Sequence, residues 1–206
     1  MTSVTIGTSH QHVEDVDVVG RRWRTGVLLL IVADASFVAA LVFSYLYLRG
    51  LNTEQAWLAH GQHTAAIWLS WVIAGVLALS AVLYRWGQRG IQAGNETRFL
   101  SGSSLALLVL VVDAVIQVIQ LAGFNFEVST SAYSSAVYTL AGANLFHLVL
   151  TVFLGIAIVN RGRAHLYTKA SNWQVQLVGM WWVWIAAAAI VSALATSFIA
   201  SPNTGH

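Results

Sequence analysis

The chain has 206 residues, of which 57% are hydrophobic and 9% charged, with a formal net charge of +2. Soluble domains carry about a quarter charged residues, so this balance excludes a disordered chain, a secreted disulfide scaffold and a nucleic-acid-binding domain. The basic residues are dispersed, with no patch to neutralise a run of phosphates. With no cysteine present, disulfides, thiolate chemistry, iron–sulfur clusters and cysteine-bound zinc are excluded as well. A mean hydropathy of +0.69 identifies an integral membrane protein.

Residues 1–25 read as a cytoplasmic tail. Glu14, Asp15 and Asp17 lie in it, and no small-residue cleavage site precedes the long apolar run, which predicts a retained anchor. About 20 apolar residues are needed to cross the hydrocarbon core as a helix. Five windows qualify: 26–48, 64–84, 100–122, 135–159 and 175–199. Each is apolar all round, and no alternating barrel pattern is present, so the fold class is an all-α bundle of five transmembrane helices. Its membrane domain spans residues 26–199, with connections of about 12–16 residues and an external tail at 200–206 that holds the single proline, Pro202.

Nine of the ten Lys and Arg fall on one side of this arrangement. Arg21, Arg22 and Arg24 precede the first span; Arg85, Arg89 and Arg98 separate the second and third; Arg161, Arg163 and Lys169 separate the fourth and fifth. Arg49 stands alone on the other side. The positive-inside rule then predicts a cytoplasmic N-terminus and an external C-terminus. Trp23, Trp57, Trp86 and Trp173, with Trp68 and Trp71, fall near span ends and are expected as interfacial anchors.

Polar groups at membrane depth cost about 2.5–3.5 kcal/mol when charged, so each requires a reason. Asp34, Asp113 and His147 are the ionisable ones, accompanied by Gln117, Gln120 and Asn144. Asp113, Gln117 and Gln120 follow i, i+4, i+7 spacing and share one helix face; Asn144 and His147 share another. Small residues follow Asp34 (Ala35, Ser36, Ala39, Ala40) and permit close helix approach. The set reads either as a functional polar seam, near a proton path, a lipid headgroup or a partner, or as helix–helix glue.

A redox centre is not expected in this chain. A membrane haem takes two axial ligands, and His147 is the lone histidine within a span. The pairs His60/His63 and His10/His12 offer too few ligands for structural zinc. Nucleophilic catalysis has no support, since no Gly-x-Ser-x-Gly is present.

These residues resemble one family, subunit III of the haem–copper oxidases in its five-helix form. Gln117-x-x-Gln120, then Tyr133-Ser134-Ser135, then Ala141-Gly142-Ala143-Asn144-Leu145-Phe146-His147 are similar to the family's Q-x-x-E, Y-G-S and T-G-x-H-G-x-H, with no gap. Ala33-Asp34-Ala35-Ser36-Phe37 resembles its S-[ED]-x-x-F-F segment. Gln120, Ser134 and Asn144 depart from the family's Glu, Gly and first His. In the last span Trp173-Gln174 and Trp181-Trp182-Val183-Trp184 remain from a W-H-x-x-D-x-x-W pattern without its His and Asp.

The resemblance implies a non-catalytic subunit of an aerobic respiratory oxidase in a bacterial or archaeal cell membrane. Its partners would be the catalytic subunit I, with haem and copper reducing oxygen and pumping protons, and subunit II. It further implies bound phospholipid in a cleft near Asp34. Two alternatives stand beside it: the accessory protein of some nitric oxide reductases, of the same superfamily, and a small stand-alone transporter or channel. The lack of helix-breaking proline argues against the latter.

Overall fold

The computed structural model describes residues 16–52 and 56–200. His10, His12, Glu14, Asp15 and Pro202, with the outer parts of both expected tails, lie outside the described residues. Five helices follow in order: α1 (Val16–Leu51), α2 (Ile67–Gln92), α3 (Glu96–Ala122), α4 (Ala132–Arg163) and α5 (Trp173–Thr196). All five are long and apolar enough to cross a membrane, and the described residues form no strand.

The helices outrun the apolar windows. α1 begins at Val16, inside the expected tail, and α4 runs 32 residues, about 48 Å at 1.5 Å per residue. The hydrocarbon core is only about 30 Å thick. Arg, Gln and Glu are good helix formers, so the arginine-bearing flanks stay helical beyond the hydrocarbon. The α2–α3 connection is therefore residues 93–95, far shorter than the expected 12–16.

That tight turn is chemically specified. Gly94 takes a φ of +84°, where a side chain would be strained, and Asn95 caps α3 by accepting from the Arg98 N–H at 2.9 Å. Asn95→Ala is expected to cost about 1 kcal/mol of stability, read from thermal unfolding in detergent. No loss would mean that the turn is held by packing alone.

Helix α2 packs on α3 and α5, α3 on α4, and α4 on α5, closing a ring of four. Helix α1 lies outside it, against α4 and α5 only. Burial follows: 6% of the apolar 18-residue window of α1 is buried, against 44% of that of α5. The ring's core centres on Trp182, which stacks on Tyr84 at 4.5 Å and donates to Ser80 Oγ at 2.9 Å. Ser80 in turn donates to the Ala106 carbonyl at 2.8 Å, and Tyr84 to that of Val175 at 3.0 Å. These two hydroxyls and the indole thus each find an acceptor, as a low-dielectric interior favours.

A second cluster closes the end opposite the α2–α3 turn, where Arg49 is the single basic residue. Tyr45, Trp57 and Tyr133 meet edge-on, and Trp57 donates its indole N–H to the Ile199 carbonyl at 2.8 Å. Trp57, expected among the interfacial anchors, is 1% exposed, its ring packed between Tyr45 and Tyr133. Its hydrogen bond to the chain leaving α5 withdraws the ring from lipid. Trp23, Trp68, Trp71 and Trp86 are exposed.

Candidate functional site

The site is built where α1 meets the ring. Asp34, halfway along α1, is 2.9 Å from His147 Nε2 on α4 through Oδ1. Its Oδ2 accepts from the Trp184 indole of α5 at 2.6 Å. Both groups are withdrawn from solvent, the His147 side chain 4% exposed and that of Asp34 14%. One carboxyl group therefore ties three helices together. Apolar packing has no directional preference, so this junction, with the Tyr45 hydroxyl donating to the Phe198 carbonyl at 3.2 Å, gives α1 its directional contacts to the ring.

His147 is itself held. Trp181 stands edge-on to its ring at 6.0 Å and donates to Thr151 Oγ1 at 2.9 Å, and Thr151 donates to the His147 carbonyl at 2.7 Å. Trp181, Trp184 and Thr151 were not singled out from the sequence as site residues. A signal was available: Trp181 and Trp184 are three apart and share a face, while Trp182 points to Tyr84 on another.

The three amides form a second group. Asn144 donates to Gln117 at 2.6 Å, Gln117 to Gln120 at 2.7 Å, and Gln120 to Ser70 of α2 at 3.1 Å. Asn144 and His147 share a helix face yet bond to different helices, α3 and α1. Ser70 was not anticipated from the sequence; it lies in the first turns of α2, where serine is unremarkable.

Asp113 is fully buried on the same α3 face, but neither carboxyl oxygen has a hydrogen-bond partner among the described residues. The structure therefore does not join it to the amides that the spacing suggested. Asp113→Asn keeps its shape and removes no hydrogen bond, so its stability should stay within about 1 kcal/mol of the parent. A loss of several kcal/mol in detergent unfolding would show that the carboxyl group is used.

Two further features flank this junction at the arginine end. A cavity of about 350 Å³ between α1, α2 and α5 is walled by Arg21, Arg24, Arg85 and Lys169, with Gln88 and Gln176. Beside it, an apolar groove of about 480 Å³ runs between α1, α4 and α5, lined by Val27, Leu30, Leu154 and Trp181. Trp173 and Leu177 line both, and Trp23 stacks on Trp173 at 6.2 Å. In the α4–α5 connection, burial pushes the Tyr167 phenol up, partly opposed by the Arg161 guanidinium over its ring.

Metal ligation has little to work with here. Among the described residues no three His, Asp or Glu side chains gather, and His147 Nε2 is engaged by Asp34. His60 and His63 lie exposed on the α1–α2 connection.

No curated protein matches the chain. The family model described as cytochrome c oxidase subunit III does, over residues 4–190, a stretch that holds Asp34, the amides, His147 and the tryptophans of α5. With five membrane-spanning helices and nearly all of its length matched, this chain belongs to the cytochrome c oxidase subunit III family.

Proposed function

We propose that this chain is the non-catalytic third subunit of a haem–copper terminal oxidase, seated against the catalytic subunit that reduces oxygen. The observation that carries the reading is the Asp34–His147 contact at 2.9 Å. It unites the two segments, one in α1 and one in α4, whose motifs resemble the family's buried carboxylate and histidine. Haem and copper belong to the partner subunits I and II, and this chain contributes structure and lipid binding to a proton-pumping complex.

The arginine end faces the cytoplasm of a bacterial or archaeal cell, by the distribution of nine of ten basic residues. An anionic phospholipid places its headgroup in the cavity of Arg21, Arg24, Arg85 and Lys169, with an acyl chain along the adjoining groove. Basic pockets between helices on the cytoplasmic side suit such headgroups, at about 1 kcal/mol for each Lys or Arg near the surface. Replacing Arg24 and Arg85 together with Gln should lower retained anionic lipid about tenfold or more. Lipid phosphorus and mass spectrometry of the purified complex check this, and unchanged lipid content counts against it.

The subunit reading is tested by purifying the tagged chain from native membranes in mild detergent and recording a reduced-minus-oxidised spectrum. Haem bands, larger co-purifying subunits and oxygen consumption are the expected result. Nitric oxide reduction instead would assign the chain to the accessory relative. A colourless 22.3 kDa species alone would overturn the proposal.

A further inference from the structure

At the end of the bundle away from the arginines, the amide chain borders a cavity of about 40 Å³. Ser70, Gln117, Gln120, Asn144, Ser192 and Thr196 supply its polar wall. Ser70 lies in the first turns of α2, Gln120 in the last turn of α3, and Thr196 ends α5, so the cavity sits in the terminal turns of three helices. A second cavity of about 10 Å³ follows it inward, bordered by Val38, Ala188 and His147. Leu140, Asn144 and Ser192 line both. The two cavities therefore share a wall, and the inner one reaches His147 of the Asp34–His147 pair.

Their size and chemistry suit water. A cavity needs roughly 10–15 Å³ of this kind of volume, and two to four polar partners, to hold one water molecule. The first cavity accommodates a few waters and the second a single one. The amide hydrogen bonds run in one direction, from Asn144 through Gln117 and Gln120 to Ser70. That direction is inferred from the hydrogen-bond network, as amide orientations are. It leaves the Asn144 carbonyl oxygen without a donor at the inner end and the Ser70 hydroxyl hydrogen available at the outer end. His147 spends Nε2 on Asp34, and its Nδ1 has no protein partner among the described residues. Ionisable groups in membrane helices face either partners or water-filled space; here each member has the other as a partner, and a cavity borders His147.

We propose that a file of water enters at the end away from the arginines and reaches His147 and Asp34 through these two cavities. The buried pair is thereby hydrated from that side, while the ring core around Trp182 and Tyr84 separates the cavities from the arginine end. This inference concerns the chain's own interior and does not depend on its membership of an oxidase.

The absence of cysteine makes a direct test possible in the full chain. Single cysteines are placed at Ser192, in both cavities, at Ala188, one turn deeper beside His147, and at Val191, which is exposed on the lipid side at the same depth. Silver ion is the probe, being small enough to follow water, in vesicles of each orientation. The readout is protection of the thiol from maleimide after denaturation. Thiols react with silver as thiolates, and a thiol in hydrocarbon stays protonated, so S192C should be blocked at least about tenfold faster than V191C. A188C should follow, more slowly than S192C, and both should react faster from the side opposite the arginines. Ala141→Cys, on the α4 wall of the outer cavity, gives a second reading there if S192C assembles poorly. Equal rates for cavity and lipid-facing thiols, or faster reaction from the arginine side, would overturn the proposal.

Discussion

Asp34→Ala is expected to lower the stability of the bundle by about 2 kcal/mol, mostly through the donor that it strands. Membrane hydrogen bonds contribute only about 0.6 kcal/mol each on average, so two lost bonds alone amount to little more than 1 kcal/mol. The larger part comes from the Trp184 indole, whose N–H has the Asp34 carboxyl as its acceptor at 2.6 Å. A buried donor left unsatisfied costs about 1–3 kcal/mol. His147 suffers less if water reaches its ring through the cavities beside it.

A second substitution separates these contributions. Removing both members of a polar pair can be nearly neutral where removing one is not. The double variant Asp34→Ala with Trp184→Phe should therefore be more stable than Asp34→Ala alone, by about 1 kcal/mol. Thermal or denaturant unfolding in one detergent reads all three proteins. A double variant less stable than the single one would show that Trp184 acts through packing and that the stranded indole is not the cause. In the assembled oxidase, Asp34→Ala should leave initial turnover largely intact and shorten the active lifetime or reduce bound lipid. Unchanged lifetime and lipid content would remove Asp34 from any role beyond holding α1.

Gly102→Ala is expected to cost about 2–3 kcal/mol, because α2 and α3 meet there backbone to backbone. A Cβ on Gly102 would stand 2.6 Å from the Gly87 Cα and 2.8 Å from its nitrogen. Neither atom can rotate away, so the helices themselves must separate. Small residues are used in membranes to permit such close approach. The strain would spread to the Ser80–Ala106 bond, which spans the same two helices, and through it to Trp182. For a chain of this size each kcal/mol moves Tm by about 2–4 °C, so a fall of roughly 5–10 °C is expected. Gly142→Ala supplies the control, since nothing lies within 4 Å of its Cβ position. It should be neutral or stabilising by up to about 1 kcal/mol, the ordinary helix preference for Ala over Gly. Equal losses at both positions would assign the effect to backbone propensity.

The contrast between these glycines shows how unevenly the site could be read in advance. Gly142 belongs to the segment that resembles the family motif, yet it borders open space, and the structure gives no reason for a glycine there. Gly87 and Gly102, in no quoted motif, form the closest helix contact described above. Tyr133 and Ser134 of the same segment hold the α1–α2 connection: the Tyr133 hydroxyl accepts from the Ala65 N–H at 2.9 Å, and Ser134 accepts from Gln62 at 2.8 Å. Their place in the motif is explained by loop anchoring.

The sequence by itself determined the number of spans, their helical nature, the lack of strands among the described residues, and the short set of polar groups at membrane depth. These are properties of composition along the chain: an apolar run of about 20 residues must satisfy its own backbone and so becomes a helix whatever it packs against. It did not determine where helices end, since the flanks carrying Arg85 to Gln92 and Glu96 to Phe99 are polar but remain helical. Tertiary structure alone decided which buried groups meet. Asp34 and His147 are 113 positions apart and Asp34 and Trp184 are 150 apart, and no period within one helix encodes a contact between two. The same holds for Asp113, whose spacing aligned it with Gln117 but whose oxygens find no partner among the described residues. Helical spacing sets the face a side chain occupies; which helix lies opposite depends on the summed packing of all five.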